Sequence, residues 1–186
     1  MIKKELTKYV VTLISGLLLF VVLGNLMGIP ILSKSKKIIF IHPQQTGKEN
    51  QLLPTFNIIL ADSSTTNINT DNIPVGKPIV LFYFSPYCPF CKMEMKEIVK
   101  NINRLGNIEF YILTPYSFTE MKNFYDEFDL KRFNNIKTGI DNQLFIGKYF
   151  NTVSIPYIAI YGQDKRLNGA FVGNVNSDQI IAVSKL

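Results

Sequence analysis

Cys88 and Cys91, the two cysteines of this 186-residue chain, stand three positions apart in Cys88-Pro89-Phe90-Cys91. Their type and spacing suit redox chemistry. A helix that starts at this motif carries Cys88 at its N-terminus, where unpaired backbone N–H groups and the positive end of the helix dipole stabilise a thiolate. Pro89 fits the first helical turn, because its missing N–H would have no partner there. Cys91 then lies one turn on, within reach of a disulfide. Such a pair can attack a disulfide with Cys88 and release the mixed disulfide with Cys91, or run in reverse. Two Cys with one His cannot complete a four-ligand zinc site, so a metal role has no support. The lone histidine, His42, falls well upstream in the chain, which argues against a Cys–His catalytic pair.

The elements that must hold the motif follow from hydrophobic pattern. IVLFYF (Ile79–Phe84) is a continuous apolar run of the kind buried on both faces of a central sheet. SPYCPFC (Ser85–Cys91) turns it into a helix in which Met95, Ile98, Val99, Ile102 and Leu105 recur at helical spacing, and Gly106 ends it. Upstream, Phe56–Leu60 reads as a short strand followed by a polar loop, Asp62–Asn72. Downstream, Ile108–Leu113 reads as a strand. Ser117 with Glu120 forms a capping-box pattern that opens a helix to about Phe128. Asn142–Phe150 reads as a short helix, Tyr157–Tyr161 as a strand, Gly162–Lys165 as a turn and Leu167–Val172 as its hairpin partner. Asn176 or Ser177 caps a last helix. This alternation predicts an α/β sandwich with a mixed central sheet, since a tight turn joins only antiparallel neighbours.

The net charge of +6 is concentrated at one end. Residues 1–37 hold six Lys and one acid, while the remainder holds fourteen Lys or Arg against thirteen acids. A nearly neutral body removes the main support for nucleic-acid binding, which needs a basic face. Lys3, Lys4 and Lys8 precede an uncharged run from Tyr9 to Leu32, and Lys34, Lys36 and Lys37 close it. At ~1.5 Å per residue that run makes ~36 Å of helix, enough to cross a ~30 Å hydrocarbon core. The expected organisation is therefore a short cytoplasmic N-terminus (1–8), a transmembrane helix (9–32), a linker (33–50) and a globular domain (51–186). The helix is read as a retained signal anchor, with a cleaved signal peptide as the alternative. Three lysines on each side leave the positive-inside count undecided. The short N-terminal tail then places the domain outside the cytoplasm. Within the linker, Ile38–Ile41 could pair as an edge strand.

Two segments carry a family resemblance: VLFYFSPYCPFCKMEM (Val80–Met95) and FNTVSIPYIAIYG (Phe150–Gly162). The chain resembles the thioredoxin superfamily over about residues 51–186, and within it the membrane-anchored TlpA/ResA-like thiol-disulfide oxidoreductases. The resemblance implies a thioredoxin-like three-layer sandwich and no metal or organic cofactor. It implies protein thiol or disulfide substrates, such as apocytochrome c or misbridged secreted proteins, and a membrane redox partner. Cys88 would be the nucleophile and Cys91 the resolving thiol. Ile155-Pro156 would be the family's cis-proline loop, which faces the dithiol and pairs with the substrate backbone.

The chain also departs from that pattern. Typical thioredoxins read Trp-Cys-Gly-Pro-Cys where this chain has Tyr87-Cys88-Pro89-Phe90-Cys91, and Cys-Pro-x-Cys also occurs in oxidising DsbA-like and glutaredoxin-like relatives. The buried Asp that relays protons in thioredoxin aligns with Phe82, which cannot. Glu94, three residues after Cys91 on the same helical face, offers a substitute, since ResA-type relatives carry a functional Glu at that offset. On its residues alone, Glu94 reads equally as a proton acceptor raised in pKa by partial burial or as a surface carboxylate paired with lysine. The anchor and Glu94 favour a reductase over an oxidase. The alternative from another class is a non-catalytic, membrane-tethered interaction module that uses the aromatic surface around Phe90 and Tyr87.

Overall fold

The computed structural model describes residues 2–26, 39–61 and 67–186. They form two units, residues 1–38 and 39–186. The first is the helix α1 (Ile2–Leu26). Its uncharged part, Tyr9–Leu26, spans ~27 Å at ~1.5 Å per residue, short of a ~30 Å hydrocarbon core. Among the described residues no helix is long and apolar enough to cross a membrane. The remainder of the expected 9–32 segment lies outside the described residues.

The second unit is built on a seven-stranded mixed sheet. Its strands are β1 (Asn57–Leu60), β2 (Asn67–Asn69), β3 (Ile79–Tyr83), β4 (Glu109–Thr114), β5 (Ile136–Ile140), β6 (Tyr157–Tyr161) and β7 (Leu167–Val172). They lie in the order β2-β1-β5-β4-β3-β6-β7. β3 is fully buried between parallel β4 and antiparallel β6, as its unbroken apolar run predicts. The helices are α2 (Pro89–Lys100), α3 (Phe118–Glu127), α4 (Phe145–Tyr149) and α5 (Ser177–Val183).

Period-two alternation along the strands divides the core into two clusters. Val80, Phe82, Phe110, Ile112, Ile158 and Ile160 face the layer that holds Cys91, Met95 and Ile98 of α2, Phe124 of α3 and Ile180 of α5. Ile79, Leu81, Tyr83, Tyr111, Tyr157 and Tyr161 point the other way, onto Ile146 of α4 and onto Phe56 and Ile73. The result is the predicted three-layer sandwich, with the dithiol helix and the last helix on one face.

Three readings need correction. β5 was not anticipated. Its sequence, IKTGI, mixes Lys, Thr and Gly into a short segment with no continuous apolar run, and every residue of it except Lys137 is nonetheless buried. The polar stretch after β1 is more than a loop: Asn67–Asn69 forms β2, antiparallel to β1, and Thr70 is buried beneath a hydrogen bond to the Pro54 carbonyl. Residues 62–66 lie outside the described residues.

The compact unit also starts at Ile39, ahead of the expected boundary at residue 51. Residues 39–41 form no strand, and Ile38 lies outside the described residues. The segment is held by backbone groups instead. Gln179 bonds both the N–H and the carbonyl of Ile41 (3.0 and 2.6 Å). The Gln44 N–H donates to the Ala170 carbonyl and the Asn50 N–H to the Leu167 carbonyl. These bonds occupy the free edge of β7, which would otherwise present unpaired N–H and C=O groups.

β1 and β5 approach closely at Gly139, opposite Leu60. A Cβ there would lie 2.6 Å from the Ile59 carbonyl oxygen, a backbone atom that cannot swing aside. Gly139→Ala is expected to lower the unfolding free energy by about 1–3 kcal/mol in a denaturant titration.

Candidate active site

The chain leaves β3 at Tyr83 and passes through Phe84, whose N–H donates to the Leu113 carbonyl (2.9 Å). It then turns at Ser85-Pro86-Tyr87 into α2. Cys88 is the N-cap residue, with extended backbone (φ −79°, ψ 118°), and Pro89 follows in the first turn. The Cys88 carbonyl accepts from the Lys92 N–H (3.1 Å), which seats the cysteine at the helix start. Both cysteines are free thiols.

Their environments differ. Cys88 is partly exposed, whereas Cys91 is fully buried in the cluster formed by Phe84, Met95 and the inner strands. Burial pushes the Cys91 thiol up to about 12; a hydrogen bond with the Cys88 side chain and the nearby Glu94 carboxylate add to the rise, while a backbone hydrogen bond at Ser85 opposes it.

Glu94 lies one turn below Cys91 and is buried, 1% exposed. The surface-carboxylate alternative is thereby excluded. Burial raises its carboxyl pKa to about 7, against hydrogen bonds from Asn174 and Val175 that favour the ionised form; Glu97 adds to the rise. Oε2 accepts from Asn174 Nδ2 (3.0 Å) and from the Val175 N–H (2.9 Å). Oε1 is buried without a hydrogen-bond partner. An unpartnered carboxylate oxygen is costly to bury, and it leaves acceptor capacity beside the thiol whose pKa this carboxylate raises.

The Ile155-Pro156 peptide bond is cis. The antiparallel register of β3 and β6 pairs Tyr83 with Tyr157, so one step further along places Pro156 beside Phe84, at the approach to the dithiol. Ile155 and Cys88 pack against the same core cluster. Ile155 also lines a largely apolar groove of about 690 Å³ with Phe84, Tyr116, Leu144 and Val153. Tyr87 and Phe90 are both well exposed beside the thiols. The Tyr87 hydroxyl donates to Glu120 Oε1 (2.7 Å), and its ring meets Tyr116 edge-on at 5.6 Å. His42 is exposed in the segment before β1, where the sequence placed it. Among the described residues no group of His, Cys, Asp or Glu could hold a metal ion.

No family model matches the chain, and no curated protein matches it by sequence. Solved structures do. A secreted Mycobacterium tuberculosis disulfide oxidoreductase, described as homologous to E. coli DsbE, superposes with a TM-score of 0.57 at 18% identity, over 69% of this chain and 93% of that one. StoA from Bacillus subtilis gives 0.53 at 13% identity, over 71% and 97%. The thioredoxin domain of a Bacteroides vulgatus thiol-disulfide oxidoreductase gives 0.56 at 12% identity, over 72% and 93%. The fold is thioredoxin-like.

Within this thioredoxin-like fold Phe82 is fully buried on the face that carries Cys91, so the buried carboxylate beneath the dithiol comes from the helix, through Glu94, and not from the strand. The sequence reading missed the residues that hold it. Asn174 and Val175 sit in a Gly-Asn turn between β7 and α5, and nothing in that dipeptide distinguishes a site residue from a loop. Helix α3 also contributes: Glu120 anchors Tyr87, and Glu127 pairs with Lys92 of α2 at 2.7 Å.

The raised Glu94 pKa has a sign that stability measurements can check. The native state keeps Glu94 protonated up to about pH 7, whereas an unfolded chain releases that proton near 4.5. The native state therefore binds more protons between these values, and unfolding free energy falls as pH rises through the window. Relative to Glu94→Gln, the wild-type chain is expected to lose about 3 kcal/mol between pH 4.5 and pH 7 in chemical unfolding.

Proposed function

We propose that the chain is a thiol-disulfide oxidoreductase acting on protein substrates. The observation that carries this reading is the asymmetry of the dithiol, with a reachable Cys88 at a helix start and a buried Cys91 above a buried carboxylate. Thioredoxin-like neighbours described as disulfide oxidoreductases support it.

The reaction runs in two displacements. The Cys88 thiolate attacks one sulfur of a substrate disulfide; that S–S bond breaks, a mixed disulfide forms, and the other substrate sulfur leaves as a thiolate that takes up a proton. Cys91 then gives its proton to Glu94 and attacks the Cys88 sulfur. The Cys88–Cys91 disulfide forms, and the second substrate thiol departs reduced. The chain is oxidised by two electrons and the substrate is reduced by two. Ile155 and Pro156 position the substrate backbone across from Cys88. Glu94, half-ionised near neutral pH, suits a proton acceptor that must also return the proton.

The physiological direction is reduction. Its support is the Glu94 carboxylate next to the resolving thiol, together with the N-terminal segment read as an anchor. That segment, with its uncharged run from Tyr9 to Leu32 between lysine clusters, serves as a single-pass anchor. It holds the domain on the extracytoplasmic side, where a membrane redox partner re-reduces the dithiol. The Mycobacterium tuberculosis neighbour is a secreted protein, which is consistent with that compartment.

In an insulin-reduction assay the wild-type chain is expected to be active and Cys88→Ser to fall to the uncatalysed rate. Cys91→Ser is expected to accumulate mixed disulfides through Cys88. Equal activity of wild type and Cys88→Ser would leave a non-catalytic interaction module. A reduction potential near the thioredoxin value of about −270 mV is expected, and one near the DsbA value of about −120 mV would reverse the direction. On cell fractionation the full chain is expected in the membrane pellet, resistant to high-salt extraction. Release by salt would sink the anchor.

A further inference from the structure

Asn174 stands far from the dithiol in sequence, yet its side chain touches both parts of the site. Its Nδ2 donates to the Phe90 carbonyl (2.7 Å) and to Glu94 Oε2 (3.0 Å). A primary amide nitrogen has two hydrogens, so both donors are committed to the site. The Phe90 carbonyl belongs to the peptide unit that carries the Cys91 N–H. One amide therefore ties the backbone entering the resolving cysteine to the carboxylate below it.

The loop that presents Asn174 is built for this contact. Gly173 has φ +91°, a left-handed conformation that a side chain would strain, and it turns the chain out of β7. Val175 is buried, and its N–H reaches the same Glu94 oxygen. Ser177 Oγ donates to Glu97 on the next turn of α2 (3.0 Å), while Asn176 caps α5 by accepting from the Gln179 N–H. The loop thus grips α2 at successive turns. With Oε2 held twice, Oε1 is the oxygen left without a partner.

We infer that Asn174 is a positioning residue for thiol exchange, holding the Glu94 carboxylate and the Phe90–Cys91 peptide in one register with Oε1 free to take the Cys91 proton. The inference rests on the function proposed above. Its electrostatic consequence is definite. The charged and titratable groups that act on Glu94 are Glu97 and Cys91, both on α2, and the β7–α5 loop faces it with two neutral donors, Asn174 and the Val175 N–H. The Asn174 hydrogen bond opposes the effect of burial, so its removal leaves the carboxyl harder to ionise.

The test compares wild type, Asn174→Ala, Glu94→Gln and the double variant as full-length chains. Carboxyl-carbon NMR is expected to show the Glu94 titration moving up by about one pH unit in Asn174→Ala. The rate at which Cys91 resolves a preformed mixed disulfide at Cys88 is expected to shift to higher pH by the same amount, about fivefold slower at pH 7. In the Glu94→Gln background Asn174→Ala is expected to shift the profile no further. An unmoved Glu94 titration, or a shift that survives in the Glu94→Gln background, overturns the inference. Should Asn174→Ala not fold, Asn174→Ser, which keeps one donor, is expected to give part of the shift, and none overturns the inference. Failure of wild-type Cys88 to form mixed disulfides would sink the proposed function, whereas the NMR titration decides the part of Asn174 by itself.

Discussion

A carboxyl group withdrawn from water loses hydration that its charged form needs, and it persists in a protein interior only where hydrogen-bond donors replace that water or a proton neutralises it. Glu94 meets both conditions in part. Two donors from the β7–α5 loop hold one oxygen, the other has no partner, and the pKa sits near neutrality. The packing of α2 against the sheet is therefore inseparable from the electrostatics of the dithiol, because the loop that satisfies Glu94 also caps the last helix and bonds the turn between the cysteines.

The sheet supplies the complementary constraint. β3 is buried on both faces and can leave the core only at its end, and there the chain becomes the N-terminus of α2. β6 runs antiparallel beside it, so the residues just before β6 arrive at the same end of the sheet as the residues just after β3. Cys88 and the Ile155-Pro156 segment are brought together by register alone, though 67 positions separate Cys88 from Ile155. Cys91, one turn deeper, is carried into the core by the same helical face that buries Met95 and Ile98.

Much of this was legible beforehand. The dithiol motif, the apolar run of β3, the helical spacing of Met95 and Ile98, the Ser117–Glu120 capping box and the hairpin of β6 and β7 are local patterns, and the structure contains each, although α2 ends at Lys100, short of the Gly106 stop that the spacing through Leu105 suggested. The strand β5 escaped because a five-residue strand containing Lys, Thr and Gly has little propensity of its own and exists through β4 and β1 on either side. The segment before β1 looked like a tether because its ordering comes from bonds to Gln179, Ala170 and Leu167, partners more than a hundred residues away. A carboxylate on a helix that also carries many charged residues gives no local sign of which way it faces.

The sequence by itself determined which atoms can react and where the helix that presents them begins, because thiol spacing, a first-turn proline and an apolar strand act over a few residues. Only the tertiary structure decided that Cys91 and Glu94 are buried while Cys88 stays reachable, and that Asn174 sits between the carboxylate and the cysteine turn. Burial and hydrogen-bond partners are properties of chain segments brought together in space, and in this fold the deciding segment arrives some eighty residues after the motif.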